Sequence, residues 1–230
     1  MNETSVDTRK LNTLYAKYIK RFLDFSLSLI ALIILLPVLL VIAVLEYIFH
    51  GSPIIYNTRR PGKDQKIFNL YKFRSMTNET DANGKLLPES ERLTRFGYII
   101  RRTSLDELPE LINILKGDMS IIGPRPLLVE YLDLYNSRHI QRHLIRPGLA
   151  LVRINPGESN TWTWRDQFEN DIWYIENLSF STDIKMLFAI IRKVFEKNDV
   201  RANDTRIPFD GNNLDETRGK NEIDAGMNNE

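Results

Sequence analysis

The chain has 230 residues, no internal repeat and nearly balanced charge, with 31 Lys+Arg against 30 Asp+Glu. One principal domain with accessory segments fits that length, and the net charge of +1 carries no general nucleic-acid footprint. The absence of cysteine excludes disulfides, thiolate zinc sites and cysteine nucleophiles, and agrees with a reducing compartment.

Residues 1–18 form a polar N-terminal segment, expected to be mobile up to about Asn12. From Phe25 to Leu45 no charged residue occurs and Leu, Ile and Val dominate. A helix of about 20 such residues matches the roughly 30 Å hydrocarbon layer, so membrane insertion is expected. A cleaved signal peptide fits badly, because the apolar run is too long and no small-residue cleavage site follows it. Pro37 falls in the middle, where it removes a helical hydrogen bond that lipid cannot replace. Basic residues flank the run on both sides: Lys17, Lys20 and Arg21 before it, Arg59, Arg60 and Lys63 after it. The positive-inside rule places both clusters in the cytoplasm, which a re-entrant helix over 19–50, broken at Pro37, permits; proline-kinked helices also span membranes.

A cytoplasmic body is expected over 51–197. Pro53-Ile54-Ile55-Tyr56 and Ile67–Phe73 read as a hairpin joined by Arg59–Asp64. Lys72, alone on such a strand, reads as a solvated lysine. Asn83-Gly84 and Pro88 mark a loop, and the run to Arg102 looks helical.

Thr103–Pro109 follows. Ser104 with Glu107 three residues on reads as a capping box opening a helix that ends at Gly117. Asp106 then stands in the first turn, where the helix dipole favours its ionised form and draws phosphate. Pro109 requires either a distorted first turn or a helix starting nearer Leu108. By itself this heptad is also an ordinary helix start. The adjacent carboxylates of Asp106 and Glu107, with Arg101 and Arg102 upstream and Arg125 downstream, suit a metal and a phosphate bound together. Gly123-Pro124-Arg125-Pro126 holds its cation in a rigid loop.

Leu127 to about His143 reads as an amphipathic helix ended by Arg146-Pro147-Gly148, and Leu149 to Ile154 as a strand. His139 and His143 have the spacing of a helical metal pair, but a solvated helix face accounts for them as well. Trp164, Phe168, Ile172 and Ile175 recur at helical spacing and read as core, with Asp171 a surface residue of that helix. Residues from about Thr182 to Glu196 form a basic amphipathic helix, headed by Asp183, that lies either in the headgroup plane or on the domain. The polar tail, 198–230, is expected to be loosely ordered. The fold class is α/β: a compact body with a small sheet and several amphipathic helices.

Ser104-Leu105-Asp106-Glu107-Leu108-Pro109, Leu115-Lys116-Gly117-Asp118-Met119-Ser120 and Gly123-Pro124-Arg125-Pro126, with Tyr71-Lys72-Phe73-Arg74-Ser75-Met76, closely resemble the monotopic phosphoglycosyl transferases of bacteria. The resemblance runs from about Lys20 to about Phe195. It implies transfer of a sugar-1-phosphate from a UDP-sugar to polyprenyl (undecaprenyl) phosphate at the cytoplasmic face of the inner membrane, with UMP leaving. Under it Asp106 is the nucleophile of a covalent intermediate, and Glu107 binds the metal or deprotonates the lipid phosphate. Mg²⁺ is held by Asp106 and Glu107. Lys72, Arg101, Pro124, Arg125, Asp171 and Asp183 match positions that bind the nucleotide-sugar and its phosphates. The product would feed downstream glycosyltransferases of a capsule, O-antigen or exopolysaccharide. Two departures from the family pattern stand out: Leu36 in place of serine before Pro37, and Gly157-Glu158-Ser159, where relatives carry a later Gly-Arg-Asn. The second motivates a rival reading as a catalytically weak or inactive membrane scaffold. A further rival passes only sugar and releases UDP.

Overall fold

The computed structural model describes residues 6–152, 163–195 and 207–216. The apolar run becomes helix α1, Lys20–His50, entered through a π-helical turn at Tyr15–Ile19. It is long and apolar enough to cross a membrane by length and composition, and 11% of its most apolar window is buried. That separates it from the core helix of a water-soluble protein. Helical structure continues through Pro37, so the expected interruption is absent; proline φ suits a helix, and what is lost is one donor to the Ile33 carbonyl. Leu35 and Leu39, on either side of Pro37, both pack on the body and hold the two halves in place.

One stripe of α1 faces the body along its length. Arg21 donates to the carbonyls of Ile114 and Leu115 at 2.5 and 2.8 Å, and Asp24 accepts from the Ile121 amide at 3.0 Å. Ala31, Leu32 and Leu35 pack on Leu70, Leu111, Ile114 and Met119, while Ile42 packs with Phe73 and Ile100. At the far end the buried Glu46 and His50 form a chain with the part-buried Thr94, with His50 Nδ1 2.7 Å from Glu46 and Nε2 2.8 Å from Thr94. The opposite stripe, including Ile30, Ile33, Ile34, Leu40, Val41 and Val44, is exposed.

The hairpin forms from β1, Ile55–Pro61, and β2, Ile67–Phe73, antiparallel with Ile55 opposite Phe73 and Pro61 opposite Ile67. Its first strand runs further than expected. Arg59 and Arg60 lie in the strand, and the reversal is made by Asp64 and Gln65 at left-handed φ of 53° and 61°. A single turn α2, Glu89–Arg92, and α3, Arg95–Arg102, replace one continuous helix, because Thr94 caps α3 by accepting from the Gly97 amide at 2.9 Å.

Helix α4, Glu110–Lys116, is followed by β3, Ser120–Ile122, which pairs in parallel with β4, Gly148–Ala150. Gly117 ends α4 as expected, at φ 92°, the left-handed conformation glycine adopts without cost. Among the described residues of the expected strand Leu149–Ile154, Leu149 and Ala150 fall in β4, which starts one residue earlier at Gly148; residues 153–162, with the Gly157-Glu158-Ser159 departure, lie outside the described residues. The helix expected over 127–143 is instead two 3₁₀ segments, Val129–Leu134 and His139–Leu144. Between them Asn136 Oδ1 accepts from the amides of Arg138 and His139, the competing turn that an Asn side chain offers.

Helices α5, Trp164–Glu176, and α6, Phe180–Phe195, complete the body. Two terminal expectations are corrected. Val6 is buried against Ile172 and Ile175. In the tail, Phe209 is buried among Tyr131, Trp164 and Phe168, so residues 207–216 belong to the body. On α6 Met186 is buried while Phe180, Phe188 and Ile191 are exposed, so the helix packs and still presents apolar side chains outward.

Candidate active site

The expected capping box is not formed. Ser104 sits at φ 57°, ψ 18° and its side chain makes no cap hydrogen bond; Leu105–Glu107 is a 3₁₀ turn, and Pro109 immediately precedes α4. Of the two outcomes Pro109 allowed, the turn is distorted and the regular helix begins after it. The cause lies in Glu107, whose carboxylate turns away from Ser104 towards two cations. Lys72 Nζ donates to Glu107 Oε1 at 2.6 Å, and Arg125 Nη2 donates to the same oxygen. Asp106 and Glu107 are 5% and 7% exposed, so these charges meet where water screens them little.

Lys72 also lies 3.1 Å from Glu110, which is 2% exposed. Burial pushes the Glu110 carboxyl up to about 7, and the Glu107 charge adds to this, while Lys72 and Arg125 oppose it. Partial desolvation works against the charge of Arg125, whose side chain is still 48% exposed, but Glu107, Glu110 and Asp106 outweigh it and raise its pKa. Sequence reasoning missed Glu110. Its signal was the spacing of three from Glu107, which sets two carboxylates on one helical face.

The surrounding elements explain the alignment. Asn113, fully buried on α4, donates to the Asn69 carbonyl at 2.7 Å and accepts from the Tyr71 amide at 3.0 Å. It thereby pins β2 beside α4 one residue before Lys72. Pro124 and Arg125 are fixed by β3 and β4: the Gly148 amide donates to the Pro124 carbonyl at 2.9 Å, and a Cβ on Gly148 would stand 2.1 Å from the Gly123 nitrogen. Pro124, Arg125 and Pro126 then wall a shallow concavity with Pro61 and His143.

Asp171 is not the surface residue that its helix position suggested. Fully buried, it accepts from Arg142 Nε at 3.0 Å and Nη2 at 2.8 Å, and from Gln167 at 3.0 Å. Arg142 Nη2 also donates to the Arg125 carbonyl at 2.8 Å, so Asp171 is linked to the site through Arg142. Asp183 is likewise committed: Tyr15, Tyr174 and Lys20 all donate to it, at 2.5, 2.5 and 2.6 Å. It ties the entry of α1 to α6. Arg101 stands in the last turn of α3, 3.7 Å from the exposed Glu89. His139 and His143 are 3% and 6% exposed, which removes the solvated-face reading. His143 Nδ1 donates to the Gly62 carbonyl at 3.1 Å, and burial with the nearby Arg142 holds its pKa down at about 4.

Among the described residues no cluster of three or more acidic, His or Cys side chains is arranged to hold a metal. The donor set still fits Mg²⁺ in the form that takes one or two carboxylates and completes its shell with water and phosphate oxygens. Asp106 suits that better than Glu107, whose Oε1 already carries two cations.

A long apolar helix with one face on the body, buried acidic residues met by Lys72 and Arg125, and a proline-walled cationic loop describe a membrane-associated transferase. The chain belongs to the bacterial sugar transferase family, which matches residues 15–197. It is 43% identical over 177 residues to the uncharacterized sugar transferase EpsL of Bacillus subtilis (strain 168), covering 76% of this chain and 87% of that one. It is 32% identical over 201 residues to the UDP-N-acetylgalactosamine-undecaprenyl-phosphate N-acetylgalactosaminephosphotransferase of Aeromonas hydrophila, covering 84% of this chain and 47% of that one. With the UDP-glucose:undecaprenyl-phosphate glucose-1-phosphate transferase of Klebsiella pneumoniae it shares 37% over 186 residues, 76% of this chain and 40% of the other. The chain thus spans most of the first relative and less than half of the other two. The resemblance to phosphoglycosyl transferases read from the motifs agrees with this membership.

Proposed function

We propose that the protein moves a sugar-1-phosphate from a UDP-sugar to polyprenyl phosphate, releasing UMP, as a first membrane step of glycan assembly. The observation that carries this reading is the Asp106–Glu107 turn clamped by Lys72 and Arg125. Carboxylate and cation side by side suit an anionic phosphorus centre, since the cations stabilise charge on phosphate oxygens while a carboxylate attacks phosphorus. In the first step an Asp106 oxygen forms a bond to the sugar-bearing phosphorus, and the bond from that phosphorus to the UMP oxygen breaks, the electron pair leaving with UMP. In the second an oxygen of polyprenyl phosphate attacks the same phosphorus, the bond to Asp106 breaks, and a lipid diphosphate sugar departs. Lys72 and Arg125 hold phosphate oxygens throughout, and fix Glu107 beside the attacking group. A bound Mg²⁺, held by Asp106 and substrate phosphates, would offset diphosphate charge.

The membrane placement belongs to the same proposal. Both ends and the middle of α1 rest on one body, which supports a helix lying along the domain in the cytoplasmic leaflet of the inner membrane, one face on the body and the other in lipid. Its exposed stripe and the outward Phe180, Phe188 and Ile191 of α6 then face acyl chains, and the lipid phosphate arrives at headgroup level.

The test is the identity of the nucleotide released by membranes carrying the protein, supplied with a panel of UDP-sugars and undecaprenyl phosphate. UMP, abolished in Asp106→Asn, is expected. UDP would establish sugar-only transfer, and no release from any donor would sink the reading.

A further inference from the structure

Arg60 has no part in the reaction as drawn, yet its placement calls for an anion. In the hairpin register Arg60 faces Phe68, Thr58 faces Leu70 and Tyr56 faces Lys72. Cross-strand partners and alternate residues share a face, so Arg60 and Lys72 project from the same side, about 13 Å apart along the strand at 3.3 Å per residue. Arg125 lines the same concavity as Pro61, the residue after Arg60. It grips Glu107 together with Lys72, and its charge bears on Arg60 strongly enough to disfavour the protonated guanidinium there, second only to burial. Arg60 Nε is buried and meets no hydrogen-bond acceptor among the described residues. The carboxylate that acts on it most, Glu130, does so through space without an ion pair. A guanidinium that is part-buried, missing an acceptor and set beside a like charge is unfavourable on three counts, and one bound oxyanion offsets all three.

We propose that Arg60 and Arg125 form a second phosphate seat, along the hairpin from the Lys72–Glu107 clamp, that receives the phosphate group not held at that clamp. This rests on the function proposed above and deepens it. The chemistry is that of phosphate oxygens, supplied either by the nucleotide or by the polyprenyl phosphate acceptor.

The test uses the full chain in lipid nanodiscs, comparing wild type with Arg60→Met, which keeps the aliphatic stem, and Arg60→Lys, which keeps the charge. Without ligand, Arg60→Met melts at or above the wild-type temperature, because no hydrogen bond is lost and a like charge is removed. Its KM for one substrate rises about tenfold or more with kcat little changed, and Arg60→Lys recovers part of the loss. A rise for the UDP-sugar assigns the seat to the nucleotide, and a rise for undecaprenyl phosphate assigns it to the acceptor. The inference is overturned if both KM values stay at wild-type level, or if Arg60→Met lowers the ligand-free melting temperature while leaving both unchanged. Thermal stabilisation by inorganic pyrophosphate is measured alongside. Should wild type release nothing from any UDP-sugar, the functional reading fails, and pyrophosphate still decides the seat: weaker protection of Arg60→Met supports it, equal protection overturns it.

Discussion

Arg142 and Asp171 form a buried ion pair, 2.8 Å between Nη2 and Oδ2, with side chains only 2% and 0% exposed. The same Arg142 nitrogen holds the Arg125 carbonyl, so a fully internal carboxylate sets the loop that carries a site cation.

Asp171→Asn therefore leaves a desolvated guanidinium without its counter-charge, and a loss of about 3–5 kcal/mol of stability is expected. Denaturant unfolding in detergent measures it. A nucleotide ligand at this position would instead give wild-type stability with a raised KM, and that result would overturn the positioning role.

Glu110 and His143 give the stability a pH signature. The Glu110 pKa is raised from 4.5 to about 7, so the native state binds more protons than the unfolded one between those values, and stability falls as pH rises through that window. The His143 pKa is lowered from 6.5 to about 4, which makes the unfolded state bind more protons, and stability rises with pH through that window. Each effect is on the order of 3 kcal/mol, and between about pH 4.5 and 6.5 they oppose one another. Wild type is expected to be nearly flat there as far as these two groups are concerned. Glu110→Gln removes the falling component and uncovers a melting temperature that climbs with pH. A Glu110→Gln profile parallel to wild type would contradict the burial of that charge.

How much of this was legible depends on the range of the forces involved. The apolar run, the hairpin, the Gly117 stop and the Asp106–Glu107 neighbourhood follow from local pattern, and each is present. The capping box failed because Ser104 and Glu107 satisfy a local rule that a distant pair overrides: Lys72, 35 residues away, and Arg125 take the Glu107 carboxylate. Asp171 and Asp183 matched family positions, but their partners, Arg142, Tyr15 and Lys20, lie 29 to 168 residues away, and no spacing rule joins them. The 207–216 segment looked like tail because it is polar, yet one aromatic, Phe209, finds Tyr131 and Trp164 at ring distances of 5.5 and 5.6 Å and anchors it. Arg60 carried no sequence mark beyond its place in a basic flank, since an unsatisfied Nε is a property of packing.

Chelation separates a catalytic metal from a structural one. Lys72 and Arg125 already neutralise Glu107, so the turn needs no cation to fold. EDTA is expected to stop turnover, with added Mg²⁺ restoring it, and to leave the melting temperature of ligand-free protein unchanged. A fall in melting temperature on chelation would show that the metal holds the turn together.

The entry of α1 offers a last test, because three donors converge on one carboxylate. Tyr15 and Tyr174 hydroxyls lie 2.5 Å from Asp183 and Lys20 Nζ lies 2.6 Å from it. Asp183→Asn keeps the shape but removes the charge that Lys20 needs and replaces one acceptor oxygen with a donor, so at least one of the three contacts becomes donor against donor. Hydrogen bonds to charged groups contribute about 1.5–3 kcal/mol each, and a net loss near 2–3 kcal/mol is expected once the tyrosine hydroxyls reorient. The loss should concentrate where α1 meets α6, seen as faster hydrogen exchange at residues 15–24 and earlier tryptic cleavage after Lys17 or Lys20, while the KM for UDP-sugar stays near wild type. If Asp183→Asn instead raised that KM with exchange unchanged, the carboxylate would be a ligand to substrate and the clasp an incidental contact.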